Sequence, residues 1–301
     1  MYIVNHRSIF FWITGILVAV AIGAIGFFGL PRSIDFTGGS LVEVQYTNAT
    51  PNLNGLKADL GSLKLGETSL TKSGTNGVIL RAPTLTPEQH TNILAVLSNN
   101  GQNAFTEKRF TSVGPSLGSE LEKKAIWALG AVILAIVLYI AWAFRKVSRP
   151  LSSWVYGLTV IAILIHDIII PTGFYAILAH FTGAQVDTLF VVALLAILGY
   201  SVNDTIVIFD RVREHLRRNE TTNVKEPFDE VVGKAITETL GRSINTSLTV
   251  MLALIALAVL GSPATINFAL VLLVGVVAGT YSSILLAAPL LIPLARKFAK
   301  Q

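Results

Sequence analysis

The sequence predicts a polytopic α-helical membrane protein of six transmembrane helices, with one folded α+β domain inserted between the first and the second. Three observations carry this reading. Only 14% of the 301 residues are charged and 52% are hydrophobic, where soluble domains carry about 25% charged residues. Six stretches stay apolar over the roughly 20 residues that a helix needs to cross a bilayer. One long segment, 31–123, has instead the mixed polarity of a domain in water.

The predicted spans are 9–30, 125–144, 151–179, 188–209, 243–260 and 266–290. The first is longer than a signal-peptide core and no A-x-A-like cleavage site follows it, so it reads as a retained span. The last contains Pro289, with Pro293 just beyond, and is expected to tilt or break there. Lys and Arg orient the set. With the N-terminus in the cytoplasm, the inner side receives Arg7; Arg145, Lys146 and Arg149; the basic residues from Arg211 to Arg242; and Arg296, Lys297 and Lys300. The short outer loops 180–187 and 261–265 receive none. The remaining basic residues lie in the long segment after the first span, and long segments cross regardless of charge. The chain thus divides into 1–30 (cytoplasmic N-terminus and first helix), an extracytoplasmic domain over 31–123, and 124–301 (helices two to six, a cytoplasmic loop 211–242 and a cytoplasmic C-terminus). Because the basic residues sort by membrane side, the net charge of +5 is not a nucleic-acid signal. The absence of Cys excludes disulfides and thiolate chemistry.

The extracytoplasmic segment alternates strand and helix patterns. Residues 41–47 alternate apolar and polar, the period of a strand. Leu53, Leu56, Leu60 and Leu63 recur at helical spacing within 52–63. Segments 67–72 and 78–81 read as two strands around a turn with Gly74 and Gly77. Thr86 caps a helix that runs to Leu97, with Pro87 at its first position. Residues 104–113 form a final strand. The order β-α-β-β-α-β is the ferredoxin-like arrangement. His90 stands alone in it, and nothing there reads as catalytic.

The membrane part carries polar groups that need a reason, since a carboxylate at the bilayer centre costs about 2.5–3.5 kcal/mol on insertion scales. Asp204 lies in the fourth span with Tyr200 four residues before it and Asn203 adjacent. It reads either as a packing carboxylate paired permanently with a neighbouring helix, or as one that takes up and releases a proton. In the fifth span Arg242, Asn245, Thr246 and Thr249 make a polar stripe on one helical face. Arg242 alone reads as a snorkelling cation; with Asn245 and Thr246 it reads as a gate or counter-ion for Asp204. His166 and Asp167 in the third span point about 100° apart and make no joint metal site. They read as a second proton-path pair or as an inter-subunit hydrogen bond. Pro171 and Gly173 follow, and are expected to bend or loosen that helix. Gly275 and Gly279 in the sixth span permit close helix packing. Phe228, Val231, Val232, Ala235 and Ile236 have the spacing of a short interfacial helix that feeds the fifth span. There is no Walker A sequence, no His-Glu-x-x-His and no Gly-x-Ser-x-Gly, so ATP hydrolysis and the common hydrolase sites are not expected. Neither a cofactor nor a metal is implied.

Several local sequences resemble one family, in register along essentially the whole chain. Ile34-Asp35-Phe36-Thr37-Gly38-Gly39-Ser40 is similar to the segment leading into the outer domain of the SecF members of the SecD/SecF family, in the resistance-nodulation-division superfamily. Val113-Gly114-Pro115-Ser116-Leu117-Gly118-Ser119-Glu120-Leu121 resembles the segment leading out. The run from Gly199-Tyr200-Ser201-Val202-Asn203-Asp204-Thr205 to Glu214 is similar to the fourth-span signature. Arg242-Ser243-Ile244-Asn245-Thr246-Ser247 and Gly279-Thr280-Tyr281-Ser282-Ser283 match the fifth and sixth. The resemblance implies a bacterial inner-membrane protein, not an enzyme, that pairs with SecD into a twelve-span unit and associates with the SecYEG channel, with YajC as a further partner. It implies use of the proton gradient to help draw unfolded polypeptides across after the step driven by SecA. Asp204 would be the proton-pathway carboxylate, with Arg242 and Thr246 as its partners. Two other classes remain open beside it: a scaffold that orders the channel without moving protons, and a half-transporter for small hydrophobic molecules.

Overall fold

The computed structural model describes residues 1–48, 50–145 and 153–298. Lys146, Arg149 and Lys300, used above for orientation, and Leu151, where the third span was expected to begin, lie outside the described residues. In chain order the elements are α1 (Tyr2–Asn5), α2 (Arg7–Phe28), α3 (Ile34–Thr37), β1 (Gly39–Tyr46), α4 (Leu53–Gly61), β2 (Ser69–Ser73), β3 (Gly77–Ala82), α5 (Pro87–Leu97), β4 (Phe105–Val113), α6 (Pro115–Ala143), α7 (Ser153–Thr182), α8 (Thr188–Thr222), α9 (Phe228–Leu260), α10 (Pro263–Ser282), a π-helical turn (Ser283–Ala287) and α11 (Ala288–Phe298). Among the described residues six helical stretches are long and apolar enough to cross a membrane: α2, α6, α7, α8, α9 and the run through α10 and α11. The chain divides into two compact units. Pro31–Ile126 and Gly183–Thr188 form the inserted unit, and the helices form the other.

The inserted unit is the α+β domain with the ferredoxin-like order. Its sheet runs β2-β3-β1-β4, antiparallel throughout. Alternation in β1 sends Val42, Val44 and Tyr46 to one face, where they meet Val78 and Leu80 of β3 and the buried sides of α4 (Leu56, Leu60) and α5 (Ile93, Leu97). Burying each such side chain stabilises by about 1.5–3 kcal/mol, so this one core suffices to hold the sheet to its helices. Thr86 and Gln89 make a reciprocal capping box at the start of α5, with Pro87 at its first position. His90 is not alone: its ring stacks on Phe110 and its Nε2 lies 3.0 Å from Glu107. These are structural contacts between α5 and β4.

The inserted unit also takes in residues 183–188, which spacing alone assigns to a turn between spans. Ser33 N donates to Val186 O and Val186 N to Pro31 O, both at 2.8 Å. Asp35 Oδ2 accepts from the Thr188 N–H and hydroxyl at 3.0 Å. Gly38 and Gly39 are required where the chain enters the domain. Both have positive φ, and a Cβ on either would lie 2.7 Å from backbone, of Pro115 and of Ala82 respectively.

The helical unit departs from expectation in three places. No separate interfacial helix precedes the fifth span. α9 is continuous, and Val231, Val232, Ala235 and Ile236 are buried against Val4, Ile208, Val212, Ile284, Ala288 and Ile292. A protein surface, not a lipid headgroup layer, takes up that amphipathic face. The fourth-span helix likewise runs on to Thr222, so much of 211–242 is helix. The last span does break, but a turn ahead of its prolines. Pro289 cannot donate to Leu285 O, and the helix widens over Ser283–Ala287 before resuming with Pro293 inside it. α7 runs through Pro171 as one helix, and Gly173 packs on the backbone of Ala21. Between α8 and α9, Arg211 pairs with Glu238, and Lys234 pairs with Glu226 and holds its carboxyl below the usual range. Exposed pairs are worth about 0–1 kcal/mol, so the apolar cluster above, rather than these ions, sets the α8–α9 association.

Tyr46 gives a direct test of the inserted core. Its hydroxyl donates to Leu97 O at 3.0 Å, and burial pushes its pKa up to about 12. An unfolded tyrosine titrates near 10, so this contribution is complete below about pH 10 and is lost as pH rises toward 12. Tyr46→Phe is expected to cost about 1 kcal/mol at neutral pH and to weaken the alkaline loss. Hydrogen exchange of the inserted domain in the full chain measures both.

Candidate functional site within the membrane

α8 buries Ser201, Asp204, Thr205, Ile208, Phe209 and Val212 at the i, i+3, i+4, i+7 spacing of one helical face. Asp204 therefore points into protein and is only 4% exposed. It sits beside Ser243 of α9 and within electrostatic reach of Arg242. The Ser243 hydroxyl lies close enough to interact with the Asp204 carboxyl, but neither it nor Oδ2 makes a hydrogen bond of regular geometry among the described residues. A buried acceptor left without a donor costs about 1–3 kcal/mol, more when charged.

The rotation of α9 differs from the simplest reading of its stripe. The buried face carries Thr239, Ser243, Ser247 and Leu254. Arg242, Asn245, Thr246 and Thr249, one residue out of phase, lie on exposed positions, as does Asn203 of α8. Thr246 and Thr249 satisfy themselves on their own helix, donating to Arg242 O at 2.9 Å and to Thr246 O at 2.8 Å. Among the described residues Arg242 makes no ion pair, and the Asn203 and Asn245 amides make no hydrogen bond. Asp204 and Arg242 thus come together, while Asn203, Asn245 and Thr246 form a polar face turned away from this chain's own core.

The remaining expected residues fall into two buried chains of polar contacts. Tyr200 turns toward α9, and its hydroxyl donates to Ser247 Oγ at 2.8 Å; Ser247 in turn lies 2.7 Å from Thr280 Oγ1 of α10. His166 and Asp167 hydrogen-bond to each other, to Ser201 of α8 and to Tyr281 of α10. They are engaged within this chain and are not presented to another subunit. Ser201, Ser243, Ser247, Thr280 and Tyr281 join these contacts; they fall within motifs of the sequence that by themselves assign them no role. Ser243 and Ser247 carry a signal of their own, a small-polar pair at i, i+4, but the charge of Arg242 draws attention to the neighbouring face.

The glycines of α10 make this possible. A Cβ on Gly275 would overlap the Ile197 side chain, and one on Gly279 would lie 2.9 Å from Ser201 Cβ. α10 can pack this closely on α8 only because both positions lack a side chain.

Comparison with known proteins decides the family. A model of the C-terminal region of protein export membrane proteins SecD/SecF matches residues 93–297, and one of the SecD/SecF GG motif matches residues 23–50. The chain belongs to the SecD/SecF family. The protein translocase subunit SecF of Anaerolinea thermophila is 37% identical over 292 residues, covering 96% of this chain and 92% of that protein. The SecF subunit of Helicobacter pylori J99 is 33% identical over 282 residues, covering 91% and 81%. Among solved structures, SecDF of Thermus thermophilus, described as a translocon-associated membrane protein, matches with a TM-score of 0.83 and 30% identity over 98% of this chain. SecDF in a super-membrane-facing form matches with a TM-score of 0.66 and 29% identity. This chain spans only 39% of the first of those SecDF chains. The GG-motif match takes in Gly38 and Gly39, and the SecD/SecF match takes in Asp204, Arg242 and both glycines of α10.

The α8–α10 contact predicts a compensating pair. Gly275→Ala overpacks against Ile197 and is expected to destabilise the detergent-solubilised chain by about 1–3 kcal/mol. Ile197→Ala in the same chain should recover part of that loss, a coupling that a double-mutant cycle in thermal denaturation measures.

Proposed function

We propose that this chain is the SecF-type half of a protein-export machine that uses the proton gradient to help draw unfolded polypeptides through the SecYEG channel, after the step driven by SecA. The observation that carries the reading is Asp204: a carboxylate buried in the membrane part, with an unsatisfied Oδ2, beside the cation Arg242. A group held this way can exchange a proton against a nearby fixed charge. One charge moved through 100 mV releases about 2.3 kcal/mol, enough to bias a conformational equilibrium by more than tenfold.

The partner we infer is SecD, covering the polar face of Asn203, Arg242, Asn245 and Thr246. Polar groups facing hydrocarbon are costly, and a second six-span subunit would remove that cost while placing its own groups opposite Asp204. The lengths agree, since the SecDF chain contains far more than this chain accounts for. YajC is a further partner on resemblance alone. Arg7, Arg145, the basic residues from Arg211 to Arg218, and Arg296 and Lys297 support cytoplasmic termini, with the inserted domain outside an inner membrane. On that side the inserted domain would meet the emerging polypeptide.

Asp204→Asn tests the proton role in vesicles that hold the complete translocase. Gradient-dependent translocation is expected to fall at least tenfold, while SecA- and ATP-driven translocation without a gradient stays within twofold. An unchanged gradient-dependent rate would leave a scaffold that orders the channel without moving protons.

A further inference from the structure

Asp204 is not the only acid in the membrane part. Asp167 on α7 is 0% exposed, and His166 beside it is 5% exposed. Every polar side-chain atom of the two is engaged. His166 Nδ1 lies 2.7 Å from Asp167 Oδ1, and the Ser201 hydroxyl donates to Asp167 Oδ2. His166 Nε2 lies 2.5 Å from the Tyr281 hydroxyl, with the two rings edge to face at 5.2 Å. Three helices, α7, α8 and α10, thus contribute to one contact chain: Ser201, Asp167, His166, Tyr281.

Among the described residues no Lys or Arg pairs with this network. On α8 the ionisable side chains nearest Ser201 are Tyr200, which bonds to Ser247, and Asp204, three residues on. Tyr281 is the one ionisable side chain of α10, and α2 has none beyond Arg7 at its start. Arg242 of α9 interacts with Asp204. α11 has Arg296 and Lys297 only in its last turn, and α7 itself adds Tyr156, Tyr175 and His180, about two to four turns away along the helix. The charge of the network is therefore set from within.

The contacts admit two states of one network. In both, Asp167 accepts at its two oxygens, from the His166 Nδ1–H and from Ser201. Neutral His166 then accepts at Nε2 from the Tyr281 O–H, and the network carries −1. A proton added at Nε2 makes an imidazolium that donates to the Tyr281 oxygen, and the network becomes neutral. The exchange requires only that the Tyr281 hydroxyl hydrogen rotate; no side chain leaves its place. Burial of an uncompensated charge is costly, so both states must be close in energy for the site to cycle, and the imidazole is the side chain suited to that.

We propose that His166 and Asp167 form a second proton-binding site in this chain, distinct from Asp204, which loads and unloads one proton at His166 Nε2. Ser201 places it on the α8–α10 contact, because the residue that holds Asp167 is the one against which Gly279 packs. The proton comes from and returns to the aqueous phase. This goes beyond the reading of Asp204 and does not need it.

The test is nitrogen-15 NMR of the histidine-labelled full chain, with its partner, in lipid bilayers. The chain has five histidines, and the His166 ring signals are assigned by their loss in His166→Gln. The expected result is passage of the His166 ring from the imidazolium to the imidazole pattern as pH is raised, with the transition retained in Asp204→Asn. Asp167→Asn should abolish the imidazolium form across the titration, while the His90 and His180 signals, which report folding, stay unchanged. Tyr281→Phe should keep the transition and shift the Nε2 signal, since only the hydroxyl partner is lost. A single protonation state at every pH in the unmodified chain would overturn the proposal. Disappearance of the transition in Asp204→Asn would overturn it too, because one coupled site would then replace two. If Asp204→Asn leaves gradient-driven translocation unchanged while His166 still titrates, the Asp204 reading fails and this one stands.

Discussion

Hydrocarbon offers no hydrogen bonds, and the rest of the structure answers to that constraint. Polar side chains of the spans meet it in three ways. Some close on each other across helices: Tyr200 with Ser247 and Thr280, and His166 with Asp167, Ser201 and Tyr281. Threonines such as Thr246 and Thr249 fold back on their own helix backbone. A last group, Asp204 Oδ2, Arg242, Asn203 and Asn245, has no hydrogen bond of regular geometry and no ion pair among the described residues, and lies on α8 and α9; the Tyr156 hydroxyl of α7 is a further buried group without a partner there.

Packing makes the first solution available. Gly275 and Gly279 bring α10 close enough to α8 for Ser201 to sit between Gly279 and Asp167. The serines of α9 then reach both α8 and α10. The same closeness leaves α9 with little left to cover its other side. Only 17% of its most apolar stretch is buried, against 56% for α7. A helix with a polar, uncovered face is stable in a membrane only beside something complementary, which connects the energetics to the inferred second subunit.

The spans and the ferredoxin-like order were legible because they rest on signals a single chain carries: apolar length, strand alternation in β1, and the Thr86–Pro87 helix start. The candidate site was legible as chemistry but not as geometry. Periodicity says that Arg242, Asn245 and Thr246 share a face; it does not say which way that face looks. In water the apolar side would settle the question, but in a membrane helix both sides are apolar, and the phase of α9 is set by the small residues Ser243 and Ser247 against α8 and α10. His166 and Asp167 diverge at the backbone by about 100°, yet their side chains meet because Tyr281 and Ser201 hold them from two other helices. The continuous α9 was hidden for a similar reason: Val231, Val232, Ala235 and Ile236 have the pattern of a headgroup-facing helix, and only the placement of Val4 and of α11 shows protein there. The link between 183–188 and the inserted domain pairs residues about 150 apart, and spacing cannot report it.

The central claim is that the polar face of α8 and α9 is a covered subunit contact that completes the Asp204 site. The chain has no cysteine, so Asn245→Cys carries a single nitroxide label, with Leu138→Cys on the exposed side of α6 as the lipid-facing comparison. The direct measurement is the collision rate of each label with dissolved oxygen, which concentrates in lipid, by electron paramagnetic resonance in bilayers with and without the co-expressed SecD partner. The account predicts that the partner lowers the rate at Asn245 severalfold and leaves Leu138 unchanged. Equal, high oxygen collision at both positions in the presence of the partner would contradict it.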